Sequence, residues 1–145
     1  MTCNGIAART AAAYGDGMAR LLLLVAACVA AAVGCLALLA PASLLAAKGV
    51  ASIDPAAIAM TRTVGVALLG VAGLDFACRD LAPSATLRRV LAANAALQLM
   101  LLPLDPYAYA VGAFSGVGSF LPNTVLHMVL AAGFIRMWRT TSSGS

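Results

Sequence analysis

Long apolar runs separated by short polar or turn-forming stretches set the pattern of this chain. The first run, residues 21–40, is uncharged throughout and stops at Pro41. The second follows Asp54-Pro55, where Asp54 suits an N-cap and Pro55 the first helical turn. The third follows Ser84, another N-cap residue, and the fourth closes on Arg136, Trp138 and Arg139. Each run approaches the roughly 20 residues that a helix needs to cross about 30 Å of hydrocarbon. The pattern predicts an all-α, polytopic membrane protein. It reads as a single domain, an antiparallel bundle of four transmembrane helices, with spans at about 21–40, 55–78, 85–104 and 120–138.

The stretches between the runs are less decided. Residues 1–20 read as a short cytoplasmic tail, helical where Ala11 to Tyr14 run together, and 42–54 as a connection containing Lys48 and Gly49. Tyr107 to Ser119 suits either an interfacial loop, with both tyrosines at headgroup depth, or a short half-buried segment. Val25-Ala26-Ala27-Cys28 resembles a lipoprotein cleavage box. The chain stays apolar well past Cys28, however, and the run exceeds the roughly 7–15 residues of a signal peptide. The segment is expected to be retained.

Composition agrees with a lipid environment. The chain is 63% hydrophobic and 10% charged, with a mean hydropathy of +0.99, whereas about a quarter of a soluble domain is charged. The net charge of +4 comes from residues at the ends of apolar runs, not from one basic patch, which disfavours nucleic acid as a partner. Cys3, Cys28, Cys35 and Cys78 form no C-x-x-C pair, and His127 has no ligand neighbour at metal spacing. Cys28 and Cys35, on one helix face, read as small packing residues. Ala26, Ala30 and Gly34 form a ladder of small residues suited to close helix approach, and Gly65, Gly70 and Gly73 do the same in the second span.

Charge also orients the chain. With four spans, Arg9, Arg20, Arg79, Arg88, Arg89, Arg136 and Arg139 share one side, and only Lys48 and Arg62 lie toward the other. By the positive-inside rule both termini face the cytoplasm. Depth then sorts the polar residues into layers. Arg62, Gln98, Asn123, His127 and Asp105 belong to the outer layer, and Asp75, Arg79, Asn94, Arg88 and Arg89 to the inner one. Arg62 and Asp75 are thirteen residues apart in sequence, roughly 20 Å along a helix. At about 100° per residue they point to opposite sides, about 140° apart, so they are not expected to pair.

Asp75 is the residue with most at stake, since a short carboxylate cannot reach water from inside a span. Its expected partner is Arg79, one turn on, reinforced by Asn94 or by the arginines of the third helix. The competing reading is a proton- or cation-binding carboxylate. Arg62 either snorkels to headgroups or binds an anion. Asn94 and Gln98 read as interhelical hydrogen-bond partners, and His127 as a neutral imidazole bonded to Gln98 or Asn123, or as a proton relay.

The segment from Thr61 to Asn94 contains an arginine, a glycine-rich apolar run, Asp75-Phe-Ala-Cys-Arg79 and Arg88-Arg89-Val-Leu-Ala-Ala-Asn94. It resembles uncharacterised small four-helix bacterial membrane proteins with a DoxX-like layout. Val125-Leu-His127-Met-Val-Leu-Ala-Ala-Gly-Phe134 resembles their last helix. The resemblance implies a four-helix inner-membrane protein and brings no site residues with it. No catalytic, cofactor-binding or metal set stands out, which disfavours an enzyme.

Two functions remain. The first is a structural or accessory membrane subunit, associating with its own copies or with another membrane protein. The alternative is a small-solute, ion or proton transporter or channel component using Arg62, Asp75 and His127. A water-filled cavity reaching Asp75 or His127 would favour transport, and a dry, fully paired core the accessory role.

Overall fold

The structure, a computed structural model, describes residues 3–141 apart from residue 51, with side chains described from residue 17 onward. The expected N-terminal tail therefore lies outside the described side chains except at its last residues, and residues 142–145 lie outside altogether. The described residues are helical, with no strand among them. Helix α1 runs Cys3–Leu39, α2 Pro41–Ala47, α3 Pro55–Cys78, α4 Ala85–Leu101, α5 Leu104–Ala110 and α6 Leu121–Thr140, with a single 3-10 turn at Val117–Ser119 before α6.

The helix boundaries follow local chemistry. The Asp54 carboxylate accepts a 2.7 Å hydrogen bond from the Ala57 amide, and Pro55 opens α3. The Ser84 hydroxyl accepts from the Leu87 amide at 3.2 Å and starts α4. Pro41 ends α1 and begins α2, a short helix inside what the hydrophobic pattern treats as a plain connection. Gly49 closes α2. Its φ of +69° lets the Val50 amide reach the Leu45 carbonyl and its own amide reach that of Ala46. A Cβ at Gly49 would also collide with the Ser115 hydroxyl. The loop after α5 is thereby seated on α2. The segment 107–119 is partly helical, with Tyr107 and Tyr109 exposed and Phe114 half-buried.

Three stretches are long and apolar enough to cross a membrane: Gly17–Leu39, Pro55–Cys78, and Ala85–Ala110, which α4 and α5 form together. The fourth expected span, α6, falls outside this set because Asn123, His127, Arg136 and Arg139 dilute it. Large apolar side chains cover much of the exterior, while three polar side chains are buried. Leu39, Met60, Leu74 and Met100 face outward, and only 11% of the apolar window of α3 is buried. Asp75, Asn94 and Gln98 lie inside. An apolar exterior of this extent suits lipid contact.

Helix α1 is the hub. It packs along α3 and also touches α6, which packs on α4. Leu23, Leu91 and Phe134 are fully buried where α1, α4 and α6 meet. Gly34 and Gly65 mark the α1–α3 crossing: a Cβ on Gly65 would lie 2.8 Å from the Gly34 carbonyl oxygen. The small-residue expectation fails elsewhere. Gly70 and Gly73 have nothing within 4 Å, because they lie on the outward side of α3. Cys28 and Cys35 are exposed instead of packed inside, since the face they share is turned away from α3 and α6.

Candidate functional site

Two polar groups line the interior, one at each end of an apolar cavity of about 380 Å³. The first group joins four elements. Lys48, the residue that caps α2, places its ammonium 2.6 Å from Asp105 Oδ2 in the first turn of α5. The same ammonium sits 5.1 Å above the Phe114 ring. Asn123 of α6 donates to the same Asp105 oxygen at 2.7 Å. Its amide nitrogen also lies 3.2 Å from His127 Nε2, one turn further along α6. His127 Nδ1 lies 2.5 Å from Oε1 of the Gln98 side chain in α4.

An amide nitrogen can only donate, so Nε2 accepts. The imidazole proton is then on Nδ1, donated to Gln98. This assignment makes the whole row self-consistent, from Lys48 through Asp105, Asn123 and His127 to Gln98. The imidazole is neutral in it, and the Lys48 and Asp105 charges cancel.

The second group is smaller. Asn94 of α4 donates to Asp75 Oδ1 of α3 at 2.7 Å and to its own helix at the Val90 carbonyl. Asp75 is only 3% exposed, and its Oδ2 has no hydrogen-bond partner among the described residues. A buried carboxylate oxygen left unpaired is expensive, so it needs an explanation. The expected Asp75–Arg79 pair does not form. Arg79 instead meets Asp80 at 3.2 Å, stacks on Phe76 at 3.6 Å and donates to the Phe76 carbonyl. One turn beyond Asp75 the helix is ending, so the long guanidinium stem turns outward to water and to Asp80. Neither Arg88 nor Arg89 bonds to Asp75, and Arg88 Nε is itself buried without a partner among the described residues.

The cavity joins these groups. Asp75 bounds it at one end, with Gln98, His127, Asn123, Asp105 and Lys48 toward the other. Its walls are apolar, from Ala26, Ala30 and Val33 of α1, Val64 and Leu68 of α3, and Leu126 of α6. Because Met60 and Val64 line it and are also exposed, it opens to the outside along α3. A second space of about 250 Å³ separates α3 from α4, and Val71, Asp75 and Leu97 line both spaces. The two helices are bridged there by the Asp75–Asn94 bond.

Of the residues singled out from sequence, Asn94 meets Asp75, and Gln98 and Asn123 meet His127. Arg62 joins neither group: it is exposed and does not line the cavity. Lys48 was missed as a site residue. The available signal was that Lys48 and Asp105 are opposite charges both expected toward the outer level. Among the described residues, no group of three His, Cys, Asp or Glu side chains is arranged to hold a metal ion. Comparison with protein families, curated proteins and solved structures found nothing that matches this chain.

Proposed function

We propose that this chain is a multi-pass protein of the bacterial inner membrane, with four spans and both termini cytoplasmic, whose interior cavity binds a small solute as part of a transport system. The carrying observation is the cavity of about 380 Å³ lined by Asp75, whose buried Oδ2 has no hydrogen-bond partner among the described residues. Its size falls in the range of about 300–1,000 Å³ usual for ligand pockets, and its apolar walls with a few convergent polar groups have the usual make-up. An ionisable residue inside a span is by default a functional candidate. The four-span topology is supported by the match of Arg20 with Asp80 at 3.0 Å and of Gly34 with Gly65. These contacts run α1 and α3 in opposite directions. The α6 helix then crosses beside α4, its polar residues turned to the cavity.

The test is the thermal unfolding midpoint of Asp75→Asn against wild type in detergent. The substitution keeps an acceptor for Asn94 and removes the bare, ionisable oxygen. An unchanged or higher midpoint is expected, as for a group held at a cost to stability. A clear fall would make Asp75 a structural residue and return the protein to the accessory role. One observation favours that second reading. The exposed Gly70 and Gly73 leave the outward side of α3 low and open to a neighbouring helix. Disulfide trapping at Gly70→Cys in native membranes would reveal such a neighbour.

A further inference from the structure

Charge bookkeeping around the cavity leaves one group over. Lys48 and Asp105 neutralise each other at 2.6 Å, and His127 is held neutral between Asn123 and Gln98. Around Asp75, α1 contributes no charged lining residue, and α4 offers Asn94 and Gln98. Cys78 lines the space between α3 and α4, Arg79 is committed to Asp80 and Phe76, and neither Arg88 nor Arg89 bonds to Asp75. A carboxylate in apolar surroundings without a counter-cation persists only as the neutral acid or with a cation brought to it.

We propose that the cavity takes a small organic monocation, an ammonium with a slender apolar body, in exchange for a proton at Asp75. The inference rests on the reading of the cavity as a solute site. The ammonium donates to Asp75 Oδ2, a buried position for which the described residues supply no donor. Its apolar body lies between Ala30, Val33, Leu68 and Leu126, where no polar group has to be stripped of a partner. The balance is simple. The empty site holds the carboxylic acid; the cation enters, the O–H bond breaks, and the proton leaves to solution while the carboxylate keeps the electron pair. Charge inside the bundle is the same before and after, so the membrane interior never carries a net ion. The opening beside Met60 and Val64 admits an amphiphile from the side, and the α3–α4 space gives Asp75 a second approach.

The test uses ligands of one body and different heads: hexylamine, 1-hexanol and hexanoate, titrated calorimetrically into the full chain in detergent near neutral pH. Titrations in two buffers of different protonation enthalpy count the protons released. Ala30→Leu, which fills the cavity, is the reference for partition into micelles. The expected result is hexylamine binding about tenfold or more tighter than 1-hexanol, the gain a charge-assisted hydrogen bond brings. About one proton should leave per bound amine, hexanoate should not bind, and Asp75→Asn should erase the preference while leaving 1-hexanol binding intact. If 1-hexanol binds as well as hexylamine, if no proton is released, or if the preference survives Asp75→Asn, the cation exchange is wrong and the solute cavity stands. If none of the ligands gives heat beyond that of Ala30→Leu, the solute cavity itself is wrong.

Discussion

Asp75 and Asn94 show how one hydrogen bond can be both necessary and insufficient. The Asn94 amide satisfies Oδ1, so Asn94→Ala strips the carboxyl group of its last partner. That substitution should cost about 1–3 kcal/mol of stability, the usual penalty for orphaning a buried polar group. The pair Asp75→Leu with Asn94→Leu should be close to neutral, because both partners leave together. A double-mutant cycle by chemical denaturation measures this; additive losses would mean the two side chains do not interact. Arg79 is the contrasting residue. It stands one turn from Asp75 but spends its guanidinium on Asp80 and the Phe76 ring. The effects of Arg79→Ala and Asp75→Asn should therefore add within about 0.5 kcal/mol.

At the level of helices, the glycines divide by what lies opposite them. Gly65 faces the backbone of α1, and Gly65→Ala would push a methyl group against the Gly34 carbonyl. Forced separation of the helices should cost about 1–3 kcal/mol. Gly73 faces open space, so Gly73→Ala should stabilise α3 by about 0.5–1 kcal/mol through helix propensity alone. Opposite shifts of the unfolding midpoint would confirm the crossing, and a shared direction would place it elsewhere. Gly49 is constrained differently, by its positive φ and the Ser115 hydroxyl above it. A Gly49→Ala chain should lose the seating of the 111–116 loop on α2, read as faster proteolysis of that loop.

The whole molecule turns an extensive apolar surface outward and buries a few polar side chains among apolar ones, an exterior that suits lipid contact. The proposed orientation gives opposite fates to two labelled positions. In a variant with the other cysteines replaced by serine, Cys3 should react with a membrane-impermeant maleimide only after cells are lysed. A cysteine at Ser52, an exposed position between α2 and α3, should react in intact cells. Labelling of both from outside, or of neither, would overturn the four-span topology.

Apolar run length, caps and turn residues were enough to set where α3, α4 and α6 begin and where α1 stops, but not to find α2 within 42–54 or the start of α1 at Cys3. Asp54 and Ser84 start α3 and α4 as their side chains dictate, and Pro41 stops α1, because these are contacts between near neighbours in the chain. Helical periodicity likewise placed Asn123 with His127 and put Arg62 opposite Asp75. What lay beyond the sequence was every choice between partners distant along it. Arg79 was within reach of Asp75, yet Asp75 bonds Asn94 from another helix while Arg79 turns to Asp80 and Phe76, since packing sets which side chain faces the carboxylate. Gly34 met Gly65 while Gly70 and Gly73 met nothing, because a helix crossing has one point of closest approach. Lys48 reached Asp105 only because α2 folded back over the bundle. The cavity is the clearest case: it is space that no residue encodes alone, left where α1, α3, α4 and α6 fail to fill the volume between them.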